Sequence, residues 1–240
     1  MGRRLADIEI EIKNHEQKFS SFLRNILEGE IFRLIDQLSK STKVYLFSGI
    51  IRNYFLHKYL VRDVDLVIES DDGLDKVLEG LKYRQNSFGG YKIELDGKNI
   101  DIWRMDKTWA FNHRQKHLNL DLQRIIPETS FFNFSAIIYS INEQKFFYTK
   151  DFLSFLRTKT IDYVYEPNAN RQLCVVNTFY YQKKYDLKVS NKLLHLISSW
   201  YWEGEKDYEK VQYKHFGKVI FSNSEILEKV IPTNELLECK

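Results

Sequence analysis

Apolar residues recur at helical spacing through the first forty positions. Ile8 and Ile12 are followed by Phe19, Phe22, Leu23, Ile26 and Leu27, then by Ile31, Leu34, Ile35 and Leu38. Steps of three and four place such residues along one stripe of a helix. The spacing predicts two helices over residues 5–39, divided at Gly29, where glycine's tolerance of positive φ suits a break. Val44 to Phe47 then reads as a short apolar strand, Ser48-Gly49 as a turn, and the residues carrying Arg52 as a helix. A second strand follows, in which Val64, Leu66 and Ile68 alternate with Asp63 and Asp65. Positions i and i+2 of a strand project from the same side, so the two carboxylates share one face, roughly 7 Å apart along the backbone.

Further along, Asp71 to Leu81 reads as a short capped helix. The run YKIELDGKNIDIW (91–103) is a hairpin, with Asp96-Gly97 as a two-residue type I′ turn between alternating strands. On its second arm Ile100 and Ile102 face one way, while Asn99, Asp101 and Trp103 face the other. Residues 104–128 are polar and mixed, as in loop and short helix. Phe131 to Ile141 forms a second apolar core segment, Asn142-Glu143 turns the chain into Lys145 to Tyr148, and Asp151 to Thr158 suits a short helix. From Arg171 onward the pattern is helical, through Leu173, Val176, Phe179 and Tyr180 and again over Ser190 to Trp202. Strands mixed with helices, then helices alone, predict an α+β fold. Its expected parts are N-terminal helices over 1–40 packing on a mixed domain at 41–166, and a helical domain at 167–240 that begins near Pro167.

Composition narrows the class. With 43% hydrophobic and 29% charged residues the chain is ordinary globular protein, not a disordered one. The net charge of +3 is too small to mark a nucleic-acid binder by itself, so any basic groove must come from local arrangement. Cys174 and Cys239, 65 positions apart, offer neither a disulfide framework nor zinc-ligand spacing, which fits a reducing cytoplasm. The charged N-terminus has no signal-peptide character, and no apolar run is long enough to span a membrane.

The acids carry the chemistry. Two like charges side by side repel, and a divalent cation between them is the usual resolution; hard oxygen ligands suit Mg²⁺ or Mn²⁺. Asp101, on the outward face of another strand, becomes a third ligand if the two strands are neighbours. Ser48-Gly49 opens a helix beside the first strand, and such a start offers free N–H donors to phosphate. Arg52 adds a charge-assisted contact to the same group. This combination points to phosphoryl or nucleotidyl transfer. Other candidates are weaker: Asp96 reads as hairpin turn only and Asp106 as loop surface. His113 and His117 have i, i+4 spacing but no third ligand nearby. Trp103 and Trp109 suit packing better than base stacking. Lys58 and Arg62 flank the acids and can meet substrate phosphates or solvate the loop. The segment Tyr180 to Lys192 reads as a solvated helix face.

The block FSGIIRN…RDVDLV resembles the strand–GG–x–VRD–helix–(K/R)DxD block of the DNA polymerase β-like nucleotidyltransferases. The likeness is to the head domain shared by bacterial poly(A) polymerases and CCA-adding enzymes, whose third acid resembles Asp101 in NIDIW. FFYTKDFLSFLRTKTIDYVYEP is similar to the segment after the head strands, and LCVVNTFYYQKKYDLKVS to the first neck helix, so the resemblance covers about residues 42–200. It implies a mixed sheet with flanking helices and a helical C-terminal neck-like region. It implies an enzyme that moves NMP from an NTP to a hydroxyl acceptor, with RNA favoured as acceptor and pyrophosphate released. Asp63, Asp65 and Asp101 would be catalytic and hold Mg²⁺ or Mn²⁺; Ser48, Gly49, Arg52 and Arg62 would bind the nucleotide.

The chain departs from the family's pattern at several points. Ser48 replaces the first glycine of the pair and Asn53 the aspartate after the arginine. The RRDFTxNA motif stands as TSFFNFSA, with Ser130-Phe131 for its Arg-Asp pair and Ser135 for its asparagine; Cys174 and Asn177 stand where neck arginines are expected. The triphosphate end is retained and the base-selecting end rewritten, which argues against CCA addition itself. Two other readings stay open: a nucleotide- or RNA-binding pseudoenzyme, and a defence or toxin–antitoxin component that modifies a protein or tRNA.

Overall fold

The computed structural model describes residues 3–27, 29–86, 89–108, 111, 122–167 and 170–238. His113, His117, Trp109 and Cys239 lie outside them. The chain forms two compact units. One comprises residues 1–130 and 134–157, the other residues 131–133 and 158–240.

The first unit is built on a seven-stranded sheet. In chain order its elements are α1 (Leu5–Asn14), α2 (Glu16–Ile26), α3 (Glu30–Ser39), β1 (Val44–Phe47), α4 (Gly49–Phe55), β2 (Asp63–Ile68) and α5 (Leu74–Leu78). After them come β3 (Tyr83–Gln85), β4 (Tyr91–Leu95), β5 (Lys98–Arg104), α6 (Leu122–Thr129), β6 (Ile137–Ser140), β7 (Lys145–Tyr148) and α7 (Lys150–Thr158). The strand order is β3-β4-β5-β2-β1-β6-β7. Every pairing is antiparallel except β2 with β5, which run parallel and are joined through α5, β3 and β4.

Parity decides what each face of the sheet carries. Ile102, Leu66, Leu46, Tyr139 and Phe146 are direct cross-strand partners and so form one apolar row. Phe19 of α2 packs on this row, its ring centroid 4.8 Å from Tyr139 and 5.0 Å from Phe146. The opposite face gathers Tyr45, Val67 and Ile138 with Met105, Ile125 and Ile126, so α6 covers that side. Fully burying side chains of this size stabilises the fold by about 1.5–3 kcal/mol each, which sets the sheet's two-sided cover.

Local departures from the expected elements have physical causes. The helical stretch before Gly29 is two helices, not one, because the chain bends at His15. That residue ends α1 and starts α2 while its Nδ1 lies 2.8 Å from Tyr54 Oη. The helix expected over Asp71–Leu81 is only Leu74–Leu78, since Gly73 and Gly80 at positive φ bound it on either side. Gly29, at φ 72°, divides α2 from α3 as the pattern predicts. The Asp96-Gly97 turn has positive φ at both residues (50° and 69°), the type I′ geometry, and pairs Leu95 with Lys98.

The described residues of the second unit form four α-helices and a two-stranded parallel ladder. These are β8 (Thr160–Ile161), α8 (Arg171–Tyr185), β9 (Lys188–Val189), α9 (Asn191–Glu203), α10 (Tyr208–Phe216) and α11 (Asn223–Glu238). Asn170, Ser190 and Asp207 cap α8, α9 and α10 by accepting from the backbone N–H three residues on. Buried Gln212 meets its full demand: Oε1 accepts from Ile220 and Phe221, and Nε2 donates to the Tyr208 and Phe221 carbonyls. Cys174 is buried in α8, and burial pushes its thiol up to about 12. Among the described residues no helix is long and apolar enough to cross a membrane.

Candidate active site

The acids sit where β2 and β5 run side by side. In the parallel register Asp63 is paired with Asn99, Asp65 with Asp101, and Val67 with Trp103. All six therefore project from one face of the sheet. Val67 and Trp103 at one end belong to the apolar core under α6, where Trp103 meets Phe47 edge-on at 5.9 Å. The acids occupy the other end of the same two strands. One strand further out, Lys92 of β4 is the direct partner of Asp101. Lys92, Asp101 and Asp65 thus form a single row across three strands.

On the other side of Asp65 the chain leaves β1 through Ser48 and Gly49. Ser48 adopts φ 46°, ψ −78°, a strained backbone for a residue with a side chain. Its Oγ lies 2.6 Å from Ser135 Oγ. A Cβ placed on Gly49 would stand 3.9 Å from Asp65 Oδ2, so the turn closes directly onto that carboxylate. Arg52, one turn into α4, is buried with its guanidinium 5.2 Å from the centre of the Phe134 ring and Nη2 3.4 Å from Asn53 Oδ1.

The three carboxylates differ in what holds them. Arg62 donates from Nε (2.8 Å) and Nη2 (2.7 Å) to Asp63 Oδ2, and Asn99 donates to Asp63 Oδ1 at 2.9 Å. Burial raises the Asp63 carboxyl, but these hydrogen bonds and the Arg62 and Lys92 charges outweigh it and bring it below its usual range. Asp101 is held by Lys92 Nζ, 3.0 Å from Oδ1 and 3.2 Å from Oδ2. Among the described residues Asp65 makes no ion pair. Burial first, then the charges of Asp101 and Asp63, push its carboxyl up to about 7, with Arg52 and Lys92 pulling the other way.

Among the described residues no three His, Cys, Asp or Glu side chains converge as a metal-binding group. Asp63 is engaged by Arg62 and Asn99, and Asp101 by Lys92. The donor chemistry nonetheless fits a hard divalent cation. Three carboxylates lie on adjoining strands, and ionisation of the central one is opposed by its neighbours and offset by no ion pair among the described residues.

The remaining candidates fall into place around this row. Arg62 is exposed on the loop entering β2, and Lys58 is exposed on the same loop. Asp106 is engaged by Arg104, which also reaches Asp71. Asp96 does more than turn the hairpin: its Oδ2 accepts from the Glu30 N–H at 3.0 Å and so caps α3. Lys92 and Asn99 are absent from the expected site. The signal for Lys92 lies in the hairpin, since counting outward from a two-residue turn sets Lys92 opposite Asp101.

No protein-family model matches the sequence, and no curated protein is significantly similar to it. Solved structures are similar in fold. The Thermotoga maritima CCA-adding enzyme in complex with tRNA matches with a TM-score of 0.65 at 13% identity, over 90% of this chain and 53% of that one. A CCA-adding enzyme with ATP matches with a TM-score of 0.64 at 14% identity, over 89% and 54%. A tRNA-processing enzyme with CTP matches with a TM-score of 0.58 at 16% identity, over 82% and 54%. The chain spans about half the length of these structures. Over that half it shares their α+β fold, and its resemblance to the polymerase β-like nucleotidyltransferase head holds at the level of that fold.

Proposed function

We propose that this protein is a metal-dependent nucleotidyltransferase that moves NMP from an NTP to a hydroxyl acceptor, with RNA the favoured acceptor. The observation that carries the reading is the register of β2 and β5, which sets Asp65 beside Asp101 on one sheet face with Asp63 two residues away. The fold shared with structures solved with ATP, CTP and tRNA supports the same reading.

In this reading Asp63, Asp65 and Asp101 hold Mg²⁺ or Mn²⁺. A divalent ion bound there would supply charge neutralisation for the triphosphate and acidify the acceptor hydroxyl. The Ser48-Gly49 turn, which closes onto Asp65, would offer backbone N–H groups to a triphosphate lying across that end of the sheet, and Arg52 and Arg62 would add positive charge. The acceptor oxygen bonds to the α-phosphorus as the bond from that phosphorus to the bridging oxygen breaks. Its proton passes to the Asp101 carboxylate, and pyrophosphate leaves. Acids on adjoining strands suit this role, because displacement by an ångström removes much of such an effect. The domain roles follow: residues 41–166 act as head, residues 1–40 support it, and residues 167–240 form a neck-like region.

The test is incubation with each α-labelled NTP, Mg²⁺ or Mn²⁺, and total RNA and protein from a cell extract. Transfer of label to RNA, with pyrophosphate released, is the expected result. Asp63→Asn and Asp65→Asn should abolish both without loss of fold. Full activity in those variants would overturn the assignment, and label in a protein band would replace the acceptor.

A further inference from the structure

The proposed reaction gives Lys92 no role, although it stands in the row of acids. Lys92, Asp101 and Asp65 are direct partners on β4, β5 and β2, so their side chains project from the same face. The ammonium touches both oxygens of Asp101, at 3.0 and 3.2 Å. The Asp101 side chain is only 15% exposed, whereas that of Lys92 is 60% exposed. The carboxylate is thus fixed at the sheet and its cation reaches it from solvent. Arg62 holds Asp63 in the same way, with a side chain 82% exposed. Both outer acids carry cations of the chain itself.

We propose that Lys92 is a resident counter-ion of the acid row: it occupies Asp101 in the metal-free protein, competes with a divalent cation for that carboxylate, and, once displaced, turns to the phosphates of the bound nucleotide. The inference rests on the reading of Asp63, Asp65 and Asp101 as metal ligands and adds a residue which that reading leaves out. Three physical points support it. An ammonium is a compact charge on a flexible stem without fixed fork geometry, so it is exchanged more readily than a guanidinium. An ion pair whose cation is this open to solvent is worth about 1 kcal/mol or less, so a dication with several carboxylate ligands can displace it. The displaced charge remains tethered to β4 beside the site, where a polyanion is its nearest alternative partner.

The experiment is titration of the full chain with Mn²⁺ in the absence of nucleotide, followed by calorimetry and by electron paramagnetic resonance of free Mn²⁺. Wild type is compared with Lys92→Met, Lys92→Arg and Asp65→Asn, each checked for fold by circular dichroism. Lys92→Met should bind Mn²⁺ more tightly than wild type, by up to about fivefold, the range given by losing a competing ion pair. Lys92→Arg should not gain affinity. At saturating Mn²⁺, Lys92→Met should bind ATP more weakly than wild type. Loss of a merely structural lysine would not raise metal affinity. Equal or weaker Mn²⁺ binding by a folded Lys92→Met, while wild type binds and Asp65→Asn does not, overturns the Lys92 proposal and leaves the metal site standing. Absence of Mn²⁺ binding in both wild type and Lys92→Met overturns the metal reading and the proposal together.

Discussion

The hydroxyls of Ser48 and Ser135 lie 2.6 Å apart, although 87 residues separate them in the chain. Both stand where the sequence departs from the head-domain pattern, one for a glycine and the other for an asparagine, so the two departures meet in a single contact. Ser48 also holds a positive φ that glycine would adopt without strain. Its backbone is strained and its hydroxyl offsets part of that cost. Ser48→Ala should therefore destabilise the protein by about 1 kcal/mol through the lost hydrogen bond. Ser48→Gly loses the same bond but relieves the backbone, and should be near neutral. Ser135→Ala should cost as much as Ser48→Ala, and the double alanine variant little more than either. Urea denaturation of the four variants measures the coupling.

Asp65 makes the site a liability to the fold. Its carboxyl titrates at about 7 in the folded chain, against an ordinary value near 4. Between these values the unfolded chain releases a proton that the folded chain keeps. Stability of the metal-free protein should fall as pH rises through that window and stay low above 7, by a few kcal/mol at most. Asp65→Asn removes this penalty. It should raise the melting temperature in EDTA at pH 8, leave it nearly unchanged at pH 4, and abolish stabilisation by Mg²⁺. A variant that melts below wild type at pH 8 would contradict the electrostatic account.

Much of the first unit can be read from the chain because parity and turn chemistry are local. Val44–Phe47 alternates into a strand, and the Asp96-Gly97 turn sets the register of its whole hairpin. That Asp63 and Asp65 share a face follows from spacing alone. That Asp101 joins them does not, because β2 and β5 are not consecutive and pairing across α5, β3 and β4 leaves no local mark. The bend at His15 is equally silent: no glycine or proline marks it, and its partner Tyr54 is 39 residues away. The exposed edge strand Tyr83–Gln85 has no apolar alternation to announce it. The Lys92–Asp101 pair lies between these cases, implied by the hairpin register yet visible only once charge is counted across the strands.

Asp96 ties the hairpin to the helices. Its Oδ2 accepts from Glu30 N–H at 3.0 Å, supplying from a distant turn the cap that Gly29 cannot give. Asp96→Ala loses that acceptor and places a residue poorly suited to φ 50° in the turn. It should destabilise by about 1–2 kcal/mol. Asp96→Asn keeps an acceptor and tolerates the left-handed backbone, so it should lie within about 0.5 kcal/mol of wild type. Thermal unfolding of the two variants separates the remote cap from a simple turn residue.

His15 gives the first unit a sensitivity to mild acid. The ring sits at the junction of α1 and α2, edge-on to Tyr54 at 5.6 Å, with Nδ1 2.8 Å from the Tyr54 hydroxyl. Burial, with the charges of Lys18 and His57 nearby, brings its pKa below the ordinary 6.5, against an opposing pull from Glu11. The folded chain therefore binds fewer protons than the unfolded chain as pH falls through about 6.5, and stability drops across that window. Tyr54 lies on α4, the helix that carries Arg52. Loosening this junction should be felt first by the packing of α2 on α4, where Phe19 and Phe22 meet Tyr54 at 4.9 and 5.0 Å. His15→Gln keeps a polar partner for Tyr54 but cannot titrate. Its urea midpoint should vary less than that of wild type between pH 7.5 and pH 5.5, with the two proteins closest at the higher pH. An equal loss in both proteins would place the acid sensitivity elsewhere.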